Sequence, residues 1–177
     1  MADQPRSEVI KQKPIGNGLE AGLLHRDISI ANLMVSKDNG GFLIDLDLAV
    51  KEQRVSASGA KGKTRTRAFM AIGALLGEQH SFMHDLDSFF WVLFWICIHC
   101  DGPGEGTVVA QFDKWTYADT EELAQLKKGE ISDEGDFIKA AEKNFTPRWE
   151  REDSGLYTQM RGLLNEARKD PRVSAEG

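Results

Sequence analysis

Apolar residues along this chain come first in short runs and later in one long one. Leu33-Met34-Val35 and Phe42-Leu43-Ile44 are separated by Lys37-Asp38-Asn39-Gly40-Gly41. Asn and Gly tolerate positive φ, so the pattern predicts a β-hairpin. From Asp85 to Cys100 the chain is nearly all apolar, with ten uninterrupted apolar residues from Phe89 to Ile98. That is longer than the roughly 4–8 residues of a buried strand, so the run predicts a fully buried helix over 85–100. Trp91 and Trp95, four residues apart, belong to its core, and Asp101-Gly-Pro-Gly-Glu-Gly106 ends it.

Beyond that helix the periodicity stays helical. Thr120-Glu-Glu-Leu-Ala-Gln-Leu-Lys-Lys-Gly129 opens on a capping residue, carries acids in its first turn and lysines in its last. Residues 136–145 and 154–169 read as two more helices, and Trp115 and Trp149 pack in or beside them. Pro5, Pro14, Gly16 and Gly18 lie among polar residues at the start, so 1–20 is expected to be a flexible arm, with order beginning near Leu23-Leu24. Residues 51–67 read as an exposed polar loop. The predicted fold class is mainly α with a small β-hairpin.

Composition narrows the function classes. The chain has 177 residues, 41% hydrophobic and 28% charged, which is ordinary for one globular domain. Its net charge of −6 argues against nucleic acid as a partner for the chain as a whole. The longest apolar run falls well short of the about 20 residues of a membrane span, so no membrane partner is expected. The first residues lack an apolar signal core, and two cysteines cannot build a disulfide framework; both point to an intracellular protein, in cytoplasm or nucleus. Cys97-Ile-His-Cys100 has a CxxC form, but it sits at the end of a buried run without a second ligand pair, so core packing is expected.

The chemistry concentrates in His25-Arg26-Asp27-Ile28-Ser29-Ile30-Ala31-Asn32 and Ile44-Asp45-Leu46-Asp47. Asp27 and Asn32 bracket a tight loop before the first hairpin strand, and Asp45 ends the second. A two-stranded hairpin returns the chain to its starting end, so Asp27, Asn32 and Asp45 should converge. Two carboxylates and an amide oxygen form a hard donor set suited to Mg²⁺ with phosphate.

His-Arg-Asp-x-x-x-x-Asn followed by an Asp at the next strand end resembles the catalytic and magnesium-binding loops of protein kinases. Thr66-Arg-Ala-Phe-Met-Ala-Ile72 resembles the end of an activation segment, and His84-Asp-Leu-Asp-Ser-Phe-Phe90 the start of the central C-lobe helix. The wording is most similar to the fungal-type protein kinase family. The resemblance implies a protein-kinase-like C-terminal lobe (an α+β family) over 21–177. Within it fall a catalytic loop at 25–32, a magnesium loop at 45–47, an activation segment at 45–73 and a central helix at 85–100. Only 24 residues precede His25, too few for the five strands and helix of an N-lobe, which is expected to be absent.

The resemblance also implies roles. Asp27 accepts the proton of a substrate hydroxyl, Thr66 lines that hydroxyl's site, and Ser29 stands where many Ser/Thr kinases carry a Lys. Asn32 and Asp45 hold Mg²⁺ on ATP, with Asp47 a third candidate ligand. Arg26 pairs with an oxyanion on the activation segment, where Ser56, Ser58 and Thr64 are candidate phosphorylation sites. His25 and Leu46 pack into the interior, and Asp85 accepts backbone N–H bonds from the catalytic loop. Gly73 replaces the Glu that ordinarily closes Ala-Pro-Glu.

The implied function is transfer of the ATP γ-phosphate to protein Ser/Thr hydroxyls, inactive or weak in this chain by itself. A non-catalytic interaction domain, with a partner covering the exposed N-lobe face, is one alternative. A small-molecule phosphotransferase of the aminoglycoside or choline kinase kind is another.

Overall fold

A computed structural model describes residues 22–38, 40–51, 67–152, 160, 162–163 and 165–166. The predicted arm at 1–20 and most of the predicted loop, including Thr66, Ser56, Ser58 and Thr64, lie outside the described residues.

Three two-stranded antiparallel sheets and a larger set of helices make up the described fold. The first sheet pairs β1 (Leu23–Leu24) with β4 (Val50–Lys51), so the segment read as a loop from residue 51 starts in a strand. The predicted hairpin is β2 (Leu33–Val35) and β3 (Gly41–Leu43), in register Leu33↔Leu43, Met34↔Phe42 and Val35↔Gly41. Its connection closes through the Ser36 N–H to the Gly40 carbonyl at 2.8 Å.

After a 3₁₀ turn at Arg67–Phe69 come α1 (Ile72–Leu75) and α2 (Phe82–His99). The central helix begins three residues before the predicted 85 and ends one before 100. Ser81 and His84 form a capping box that starts it, and Cys100 already belongs to a strand. Residues 101–106 do more than stop the helix: β5 (Cys100–Gly102) and β6 (Glu105–Gly106) form a second hairpin, turned by Gly104 at φ 79.

Beyond it lie α3 (Ala110–Asp113), α4 (Thr120–Glu130), α5 (Glu134–Asn144) and α6 (Pro147–Glu152), and the described residues between 160 and 166 are helical as well. The caps of α4 and α5 are Asp119 and Asp133, whose carboxylates accept the N–H of Glu122 and Asp136. Thr120 is therefore the first helical residue and not the cap.

The core gathers around α2. The Phe94 ring meets Phe90, Trp91, Phe112, Trp115, Phe137 and Phe145, with centroids 5.4 to 6.2 Å apart and several edge-to-face pairs. Cys97 lies buried in that core, and Trp149 packs on its edge, its indole N–H donating to the Cys100 carbonyl at 2.8 Å. Burial pushes the Cys97 thiol up to about 12, with a smaller push from Cys100. Among the described residues, no helix is long and apolar enough to cross a membrane.

Candidate active site

The loop from His25 to Asn32 is hung on the central helix by one carboxylate. Asp85, in the first turn of α2, accepts the His25 N–H at 2.6 Å and the Arg26 N–H at 3.0 Å. His80 Nε2 lies 2.8 Å from the same carboxylate. Asp85 and His25 are both buried, so these charge-assisted bonds fix the start of the loop against the core.

His25 then links the loop to the hairpin. Its Nδ1 accepts the Asp27 N–H at 3.3 Å, which assigns the ring proton to Nε2, and Nε2 donates to the Ile44 carbonyl at 3.0 Å. Ile44 in turn donates its N–H to the Asn32 carbonyl at 2.9 Å. Asp45 directly follows Ile44, so the end of β3 is tied to both ends of the loop.

Asn32 closes the arrangement. Its Nδ2 donates to the Asp27 carbonyl at 2.8 Å and lies 3.3 Å from Asp27 Oδ2. The amide is buried, while the Asp27 side chain is partly open and Asp45 is exposed. Nδ2 is committed to Asp27, which leaves Asn32 Oδ1 as an acceptor near the Asp27 carboxylate. Among the described residues no group of three or more His, Cys, Asp or Glu is gathered for a metal. Asn32 meets the Asp27 carboxylate, and Ile44, next to Asp45, is bonded to the Asn32 carbonyl; carboxylate and amide oxygens are the donor types that suit a hard divalent ion.

Backbone strain marks the same place. Arg26 at φ 68 and Asp45 at φ 60 are the non-glycine residues with left-handed backbone among those described. For a residue with a Cβ, that conformation costs on the order of 1 kcal/mol or more. One stands immediately before Asp27, and the other is a candidate ligand itself. Spacing alone carried no sign of this.

Residues 18–97 match the fungal protein kinase family. The motifs from His25 to Phe90 fall inside that stretch, while the helices beyond α2 lie outside the match. No curated protein matches the chain.

Two expected roles meet a different geometry. Ser29 is 1% exposed, and among the described residues its Oγ has no hydrogen-bond partner: the loop turns that side chain inward. It does not face an incoming substrate. Leu46 is 38% exposed and does not pack into the interior: the left-handed turn at Asp45 carries residues 45–48 to the surface. Asp47 is also exposed, and Arg26 is half-buried.

Sequence reasoning missed two features around the segment that follows Thr66. Lys127 of α4 is fully buried and donates to the Met70 carbonyl at 2.6 Å, while Asp87 of α2 accepts the Ile72 N–H at 2.9 Å. At Gly73, a Cβ would collide with a Glu78 carboxylate oxygen and with His84 Nε2. Glu78 and His84 pair at 3.4 Å across that space, so the missing acid at 73 has an acid five residues on in its vicinity.

Proposed function

We propose that the chain carries the catalytic and metal-binding half of a protein kinase site that transfers the ATP γ-phosphate to protein Ser/Thr hydroxyls. The observation that supports it is the tie of Asp27, Asn32 and the Ile44-Asp45 strand end into one hydrogen-bonded unit, with left-handed backbone at Arg26 and Asp45. In this reading Asp27 orients the substrate hydroxyl and accepts its proton. Asn32 holds Asp27 in place through Nδ2 and offers Oδ1 to the metal, and Asp45 is the second ligand. Mg²⁺ bound there with ATP would neutralise charge on the phosphate oxygens. Little covalent assistance is required of the protein, so rate depends on positioning and electrostatics. Neither a Gly-rich phosphate loop nor a strand Lys paired to a helix Glu is found among the described residues, and turnover by the 177-residue chain is expected to be slow.

The test is phosphate transfer from Mg-ATP to a Ser/Thr peptide library by the purified chain. Slow transfer that Asp27→Asn abolishes supports the reading; transfer unaffected by Asp27→Asn refutes it.

A non-catalytic interaction domain is the second reading, favoured by exposed Met34, Val35, Leu46 and Leu48 on β2 and the turn after β3. It predicts no transfer under any metal or nucleotide condition, together with strong binding of a hydrophobic dye that Val35→Ser weakens.

A further inference from the structure

The segment 67–72 is held from a distance. It immediately follows Thr66 and leads into α1, and it reaches the core through the Phe69 ring, edge-on to Trp95 at 5.6 Å. Its backbone is gripped at two points by ionisable side chains from two helices, Lys127 at Met70 and Asp87 at Ile72. We propose that Lys127 and Asp87 are positioning residues that set the backbone of 67–72 as one wall of the groove for the protein substrate. That role rests on the kinase reading given above.

The argument turns on why a lysine stands there. Lys127 is 0% exposed, and its ammonium lies 4.5 Å from the Trp91 ring centroid and 5.7 Å from that of Trp115. Taking an ammonium out of water is costly, and a Leu or Met would fill an aromatic slot without that cost. Two aromatic faces offset part of it. What a lysine adds is a donor for a carbonyl 57 residues away in sequence. Burial pulls the ammonium down to about 7, with the Asp87 charge acting in the opposite direction, so the site keeps a group that its surroundings disfavour. The same Asp87 carries the second bond to the segment. Gly73 provides no side chain for such a hold, because the Glu78 carboxylate and the His84 ring fill the space where one would start.

Amide hydrogen exchange, followed by mass spectrometry on the whole 177-residue chain, reads the hold directly. Lys127→Met retains the length and packing of the side chain but loses the donor. Expected is at least about tenfold faster exchange of amides in 67–72, with peptides from 90–98 and 25–32 unchanged. Unchanged exchange in 67–72 overturns the proposal, and so does a parallel acceleration of every segment, which would mean that Lys127 only stabilises the core. Should Lys127→Met not fold, Asp87→Ala, which removes the acceptor of the Ile72 N–H, decides by the same criterion: faster exchange confined to 67–72 supports the pair, and any other pattern removes it. Where the wild-type chain transfers phosphate, Lys127→Met should raise the KM for peptide about fivefold or more and leave the KM for ATP unchanged; equal effects on both overturn the assignment to the groove. A wild-type chain without transfer counts against the kinase reading alone, and the exchange result still decides whether Lys127 and Asp87 hold the segment.

Discussion

Asp85 shows how much one buried carboxylate can carry. It accepts two backbone N–H groups of the loop and stands against His80, and its removal would leave the buried His25 N–H without a partner. Charge-assisted bonds contribute about 1.5–3 kcal/mol each, so Asp85→Ala is expected to cost about 3 kcal/mol or more, measured as a fall in urea midpoint with unchanged slope. Gly73→Ala should be milder, about 1–2 kcal/mol: the new methyl displaces the exposed Glu78 carboxylate, but the buried His84 ring has little room to give. Cys97 makes a chemical prediction. The thiolate is the reactive form, and a thiol pushed up to about 12 should resist iodoacetamide at pH 8 in the folded chain and react fully in urea, as peptide mass spectrometry will report. The meeting of Asp27 with Asn32, and the return of the chain at Ile44 to Asn32, were legible beforehand because a hairpin's geometry follows from local chain direction. Ser29 and Leu46 were not, since whether a loop side chain turns inward depends on what packs beneath it. Lys127 was illegible for the same reason: in sequence it is one of two lysines at the end of an amphipathic helix, and only the fold turns it towards Met70.

At the scale of elements, periodicity found the long helices α2, α4 and α5 and misjudged their edges, while the short α1, α3 and α6 went unread. The apolar run announced α2, but its true start lies at Ser81, where a polar capping box precedes the run. In α4 and α5 the same displacement occurs, with the Asp just outside the helical pattern doing the capping. Asp119→Ala should therefore cost about 1 kcal/mol, whereas Thr120→Ala should change stability by a few tenths at most, a contrast that paired urea melts resolve. The hairpin of β5 and β6 left no alternating pattern to read. Its residues are Cys, Asp, Gly, Pro, Gly, Glu and Gly, and it forms because Thr146, Arg148 and Trp149 bond to Cys100 and Asp101 from the far side. Such a strand pair is specified by its tertiary partners, which is why it read as a helix stop.

For the whole molecule, the lysine buried between Trp91 and Trp115 ties stability to pH. In the unfolded chain Lys127 titrates at its ordinary value near 10.5; in the fold, burial brings it to about 7, against a weaker opposing pull from Asp87. Between those values the unfolded state holds a proton that the folded state has released. Stability must then rise with pH through this window, and be lost again as pH falls towards 7. Below about pH 7 both states are protonated, and the contribution is flat at its least favourable level. Other groups also titrate between pH 7 and 10.5, so the wild-type curve alone is ambiguous. Lys127→Met removes this group and leaves the others, and the difference between the two melting temperatures isolates it. That difference should move steadily in favour of the wild type from pH 7 to pH 10 and be constant from pH 5.5 to 6.5. A difference that stays constant across the alkaline range would mean that Lys127 keeps its proton in the fold, and that the Trp91 and Trp115 faces with Asp87 fully offset its burial.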